Sequence, residues 1–155
     1  MRANPTAVHD RFLADHRTIE GLLEGLLAAF EANDREGVQR LWTAFESSLL
    51  VHLEAEEKLM IPEFLRHRER DARALLAEHN HLRARLNALG TGIDLHIVRL
   101  EAARAFIEDL RAHARREDAL YAWADCHLAE QPRASLLGAL TRAVRAVVVA
   151  VSDAA

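Results

Sequence analysis

The chain reads as an all-α protein, an up-down-up-down antiparallel four-helix bundle with a short fifth helix at its C-terminus. Three observations predict this. Apolar residues recur at alternating spacings of three and four through nearly the whole sequence, and strand-period alternation is absent. Ala, Leu, Glu and Arg dominate a chain of 155 residues that holds only 6 Gly and 3 Pro. Breaks fall at Asn33-Asp34, around Pro62, at Gly90-Thr91-Gly92 and at Gln131-Pro132, dividing the chain into segments of bundle length.

Each helix carries its own apolar seam. Helix one, expected from Ala7 to Glu31, shows Phe12, His16, Ile19, Leu23, Leu26 and Phe30 on one stripe. Helix two, from about Glu36, carries Val38, Trp42, Phe45, Leu49, His52, Glu56 and Leu59, until Pro62 removes a backbone donor and kinks or ends it. Helix three shows Ala72, Leu75, His79, Leu82, Leu86 and Leu89, and helix four Phe106, Leu110, His113, Glu117, Leu120 and Ala124. Residues 1–131 form the expected bundle. After Pro132 a fifth helix over 132–155 places Leu136, Leu137, Leu140, Val144, Val147, Val148 and Val151 on one side, to pack on the bundle or at an oligomer contact.

Histidine interrupts the seams of the first four helices, joined by glutamate in helices two and four. His16 and His52xxxGlu56 are followed by a second copy of the pattern, His79 and His113xxxGlu117. A His and a Glu four positions apart share one helical face, so both can reach a single metal centre. In antiparallel neighbours, residues at one height lie equally far from the loop that joins them. Halfway from His16 to His52 falls residue 34, at the first break; halfway from His52 to His79 lies just past Pro62; and halfway from His79 to His113 is residue 96. That last value lies beyond Gly90-Thr91-Gly92, so a loop is expected to run on through Ile93, Asp94 and Leu95. All four histidines then share one level.

A seam Glu with no partner would cost several kcal/mol, and a metal removes that cost. Imidazole with carboxylate suits Fe, Mn, Zn or Cu; Mg and Ca prefer oxygen alone, and a thiolate zinc site would need clustered cysteine. Six ligands exceed what one tetrahedral ion uses. If Glu56 and Glu117 each bridge two ions, each ion receives two imidazoles and two carboxylate oxygens, with a position left open for a small molecule.

Composition narrows the other classes. A net charge of −4 with interleaved Arg and Glu offers no basic stripe, which argues against nucleic acid as a partner. The run Val147 to Val151 is too short to span a bilayer, so no membrane is expected. One cysteine, Cys126, and no signal-peptide pattern point to a cytoplasmic setting.

The residues His16, His52xxxGlu56-Glu57 leading to Pro62, Glu78-His79 and His113xxxGlu117 resemble the hemerythrin-like HHE cation-binding family, over residues 7 to about 128. The resemblance implies a four-helix bundle around two Fe ions, a non-heme di-iron centre with an oxo or hydroxo bridge, with Mn or Zn as possible substitutes. It implies a small gaseous or peroxide ligand, and the apolar face of the fifth helix leaves both a monomer and a homodimer open. Arg83 stands where oxygen-carrying hemerythrin has a further His. Glu117 and Asp118 supply both spacings found after the last His, and Glu117 alone follows the seam. The four-His, two-Glu set looks closer to di-iron proteins that repair iron centres or sense iron. Three functions follow as expectations: a module that binds or senses O2, NO or iron; an enzyme at the same site that reduces NO, decomposes peroxide or repairs iron-sulfur centres; or a metal-free helical assembly protein.

Flanking residues have ordinary readings. Glu20 is expected on a solvated flank, His81 on the surface, and His67, His96 and His127 near breaks or helix ends. His9, two turns before His16, is placed to line an access path. Arg83 either bridges to a buried carboxylate or extends to water. Tyr121, one turn after Glu117, is expected to pack with a hydroxyl partner, or to supply a proton or an electron to iron. Cys126 is expected as a small buried hydrophobe.

Overall fold

The structure, a computed structural model, describes residues 8–128 together with Gly138 and Arg142. Apart from those two positions, the segment expected to form a C-terminal helix lies outside the described residues. Five helices and no strand occur among the described residues: α1 (Val8–Glu31), α2 (Arg35–Leu59), the short α3 (Ile61–His67), α4 (Glu69–Asp94) and α5 (Leu100–His127). None of them is long and apolar enough to cross a membrane.

The four long helices form a square. α1 packs against α2 and α5, and α4 packs against the same two, so α1 and α4 occupy one diagonal and α2 and α5 the other. Short connections make sequential neighbours antiparallel. The seam residues read from the sequence for these four helices are buried, except Phe30 and Leu59, which are half-buried, and His16, discussed below.

Chain reversals are chemically specified. At the end of α1 the Asn33 amide donates to Phe30 O (3.2 Å) and the Asp34 amide to Ala29 O (3.0 Å), with Asn33 in the left-handed region at φ 55°. Asp34 then opens α2, its side chain accepting from the Gly37 amide at 3.0 Å. Pro62 stands in the first turn of α3, where its missing amide costs nothing.

The glycine break expected at residues 90–92 is not a break. α4 runs through both glycines to Asp94, and the loop occupies residues 95–99. A Cβ on Gly90 would lie 3.2 Å from Trp42 Cζ2, and one on Gly92 would lie 2.8 Å from Val98 Cγ2, so these glycines permit close packing. The left-handed residue that ends α4 is His96, at φ 55°. Its amide donates to Ile93 O (3.1 Å) and that of Ile97 to Gly92 O (2.9 Å), the same closure as at Asn33. The loop therefore contains the residue that the His79–His113 midpoint indicated, whereas Ile93 and Asp94, expected in the loop, belong to α4.

Two apolar clusters occupy the two ends of the bundle. One gathers Leu23, Leu26, Trp42, Phe45, Leu86, Leu89 and Phe106 toward the α1–α2 and α4–α5 turns. The other gathers Val8, Phe12, Met60, Phe64, Leu75, Leu120 and Tyr121 around α3. Between them lies a layer in which Asp15, His52, Glu56, His79, His113 and Glu117 are all buried. Cys126, expected to be buried, is exposed, because it sits past the last seam position of α5.

Replacing Asp34 with Ala leaves the Gly37 amide without its cap. This should destabilise the protein by about 1 kcal/mol, lowering the thermal midpoint by roughly 2–4 °C in a calorimetric scan, with the helical signal unchanged.

Candidate metal centre

All six residues expected as ligands meet in the buried layer. Their donor atoms form two groups, His16, His52, Glu56 and Glu117 on one side and His79, His113, Glu56 and Glu117 on the other, each with its atoms within 4.8 Å of one another. The carboxylates divide their oxygens between the groups. Glu56 Oε1 lies 3.2 Å from His52 Nε2, and Glu56 Oε2 lies 3.2 Å from His79 Nε2. Glu117 Oε2 lies 3.0 Å from His16 Nε2, whereas Glu117 Oε1 faces His79 Nε2 at 3.5 Å and touches His113 Nε2. Asp118, the competing acid, is exposed and lies 3.7 Å from His9 instead.

The second group is the more telling. Glu56 Oε2, His79 Nε2, His113 Nε2 and Glu117 Oε1 are buried side-chain atoms with no hydrogen-bond partner. They approach at ion-pair distances, but their geometry is not that of hydrogen bonds. Four buried polar atoms that converge without a hydrogen bond are costly in a protein interior, and a cation would satisfy all four at once. The residues present therefore fit a pair of metal ions.

Three of the four imidazoles are oriented from behind by a carboxylate on Nδ1. His52 Nδ1 contacts Asp15 Oδ2 at 2.5 Å, His79 Nδ1 contacts Glu57 Oε1 at 2.9 Å, and His113 Nδ1 contacts Glu78 Oε2 at 2.6 Å. With Nδ1 donating, Nε2 is turned toward the centre for a metal. Arg83 bonds both oxygens of Glu57, at 2.6 and 2.9 Å, so of its two expected roles it takes the bridge to a carboxylate. Sequence reasoning assigned no role to Asp15, Glu57 or Glu78. The signal was present, since each stands directly beside a ligand: Asp15-His16, Glu56-Glu57, Glu78-His79. A neighbour in sequence is turned about 100° around the helix, away from the centre and toward the next helix. Each acid accordingly serves the histidine of the following helix, from α1 to α2, α2 to α4 and α4 to α5.

His16 stands apart from this pattern. Among the described residues no carboxylate contacts its Nδ1, and its side chain keeps 18% exposure. It borders a cavity of about 60 Å³ between α1, α2 and α5, lined by Ile19, Leu23, Leu49, Leu53 and Leu110 and reaching His52, His113 and Glu117. Glu20 and Arg111 also line it and are joined across α1 and α5 at 2.7 Å, so the Glu20 flank is a bridged one. His9 lies away from this cavity; its ring is 6.4 Å from that of Tyr121.

Without metal the layer holds protons. Burial works to lower the pKa of His52, but the charge of Glu56 and hydrogen bonds to Asp15, Glu117 and Glu56 outweigh it and raise the value well above 6.5. The same contest, decided by Glu117 and Glu56, lifts His79 to about 10. His113 is raised too, against burial, by Glu117 and Glu78. Burial would raise Glu117, yet the four surrounding imidazoles hold it well below 4.5. Tyr121 is pushed well above 10 by burial and by the charges of Glu56 and Glu117, so its phenol keeps its proton.

The central layer of this helical bundle thus brings together two histidine-carboxylate groups that could hold a metal. The sequence profile of the hemerythrin HHE cation-binding domain matches residues 7–124. The chain belongs to that family, and cation binding is its family trait. No curated protein and no solved structure matches the chain significantly.

Two outcomes follow. Asp15→Asn should lower metal affinity by about 10- to 100-fold in a competition titration with a chromophoric chelator, while helical content is kept. The second concerns pH. The raised histidines bind protons that the unfolded chain releases above 6.5, so their stabilisation is full below that pH and fades as pH climbs toward about 10 for His79. Glu117 contributes in the opposite sense, lost as pH falls through its depressed value. Chelator-treated protein should thus unfold at lower denaturant near about pH 9 than near about pH 6, and added metal, which replaces these protons, should remove or reverse the difference.

Proposed function

We propose that this chain holds two non-heme irons and binds or senses a small oxidant or diatomic gas at them, dioxygen or nitric oxide foremost. The observation that carries this reading is the division of the Glu56 and Glu117 oxygens between two donor groups, four atoms of which have no hydrogen-bond partner. Two imidazoles and two carboxylate oxygens per ion suit iron, with manganese or zinc as substitutes. Iron in such a pair supplies electron transfer and a coordination position for a small molecule.

The protein's own groups set the conditions. Leucine and isoleucine walls keep the cavity beside His16 apolar, and about 60 Å³ is room enough for a gas or peroxide. The carboxylates on Nδ1 fix three imidazoles and raise their basicity toward a cation. The lone cysteine is consistent with a reducing cytoplasm. A purely structural bundle would have no use for unpaired buried donors, which weighs against the assembly reading.

The test is elemental and optical. Protein produced with iron supply should carry about two irons per chain. Anaerobic ferrous protein exposed in turn to dioxygen, nitric oxide and peroxide should form a persistent, distinct spectrum with at least one of them. Iron well below one per chain, or spectra indifferent to all three, would overturn the proposal. Steady consumption of nitric oxide or peroxide beyond that of free iron would move it to an enzyme at the same site.

A further inference from the structure

Tyr121 is placed more closely than packing requires. Its Oη lies 2.5 Å from Glu56 Oε1, 2.6 Å from Glu117 Oε2, 3.0 Å from His16 Nε2 and 3.4 Å from His52 Nε2. Those four atoms are the whole donor set of the first group. We infer that Tyr121 Oη is a fifth protein ligand of the ion held by His16, His52, Glu56 and Glu117, bound as phenolate.

Two arguments separate a ligand from a hydrogen-bond donor standing behind the carboxylates. Donor atoms about 2.1 Å from one ion and at right angles to each other lie about 3 Å apart. The contacts already expected at this site, 3.1 Å between His16 and His52, 3.2 Å between His52 and Glu56 and 3.0 Å between His16 and Glu117, have that length. The four distances from Oη bracket it, so the phenol oxygen belongs to the same polyhedron. A donor set behind the carboxylates would also stand away from both imidazole Nε2 atoms, and Oη does not. Second, one phenol hydrogen serves one carboxylate, yet Oη is within 2.6 Å of oxygens on two. A shared cation turns both short contacts into ligand edges.

The position is held firmly. Tyr121 is fully buried, its ring 4.7 Å from that of Phe12, and it follows Glu117 by one turn on α5. It does not line the cavity beside His16, so ligation leaves that side clear. As the oxygen–metal bond forms the O–H bond breaks, and the proton passes to water. Tyr121 has no counterpart in the second group, so the two ions differ: the first has an additional anionic oxygen that favours the ferric state.

This inference rests on the reading of the site as an iron pair, and the experiment separates the two. Tyr121 is the only tyrosine in the chain, so any tyrosinate signal belongs to it. Ferric protein should show a phenolate-to-iron charge-transfer band in the visible, and resonance Raman excitation within it should enhance tyrosinate ring modes. Tyr121→Phe should lose both while keeping its iron. Iron-loaded wild type without the band, or a Phe variant that retains it, would overturn the inference alone; failure to take up iron would overturn both. Should the variant not fold, the wild-type Raman spectrum still decides.

Discussion

The structure depends on one constraint, the enclosure of two carboxylates and their imidazole partners between two apolar clusters. Neither Glu56 nor Glu117 has any exposure to water. In a medium of low polarizability such groups persist only when opposite charge is close on several sides. In the metal-free chain that charge is supplied by protons on His52, His79 and His113; in the loaded chain it is supplied by cations. The apolar ends and the loops bring four helices to the height at which this exchange is possible.

The exchange links affinity to the surroundings of the ligands more than to the ligands themselves. Asp15, Glu57 and Glu78 fix which ring nitrogen faces inward, and Arg83 in turn holds Glu57. His16 lacks such support and borders the cavity, so it is the least restrained of the four. The two halves of the centre are therefore unequal in the protein itself: one has all its residues buried, and the other combines a partly exposed imidazole with a buried phenol.

Much of this was legible in the sequence, because helical periodicity and ligand spacing are the same signal. Seam positions repeat every three or four residues, and a His or Glu occupying one must face the centre. The equal-distance rule located the last loop better than the glycines did. Gly90 and Gly92 are misleading because glycine marks a helix end only when it supplies the left-handed residue, and here His96 does so while the glycines make room for Trp42 and Val98. The role of the acids behind the imidazoles went unread because they lie off the seam, where charged residues are ordinarily solvated. Tyr121 could be placed near the centre from its spacing to Glu117, but not within reach of four donor atoms, since that depends on how far α1, α2 and α5 approach one another.

The acids that stand behind the imidazoles have a further effect on the fold. In helices that alternate in direction, the residue before a ligand on one and after a ligand on the next turn the same way around the bundle, which is how Asp15, Glu57 and Glu78 each reach forward by one helix. If any helix slipped by a single position, its ligand and the acid beside it would both leave their partners. The three contacts thus act as a vernier, holding four helices to a common level in the absence of a cation.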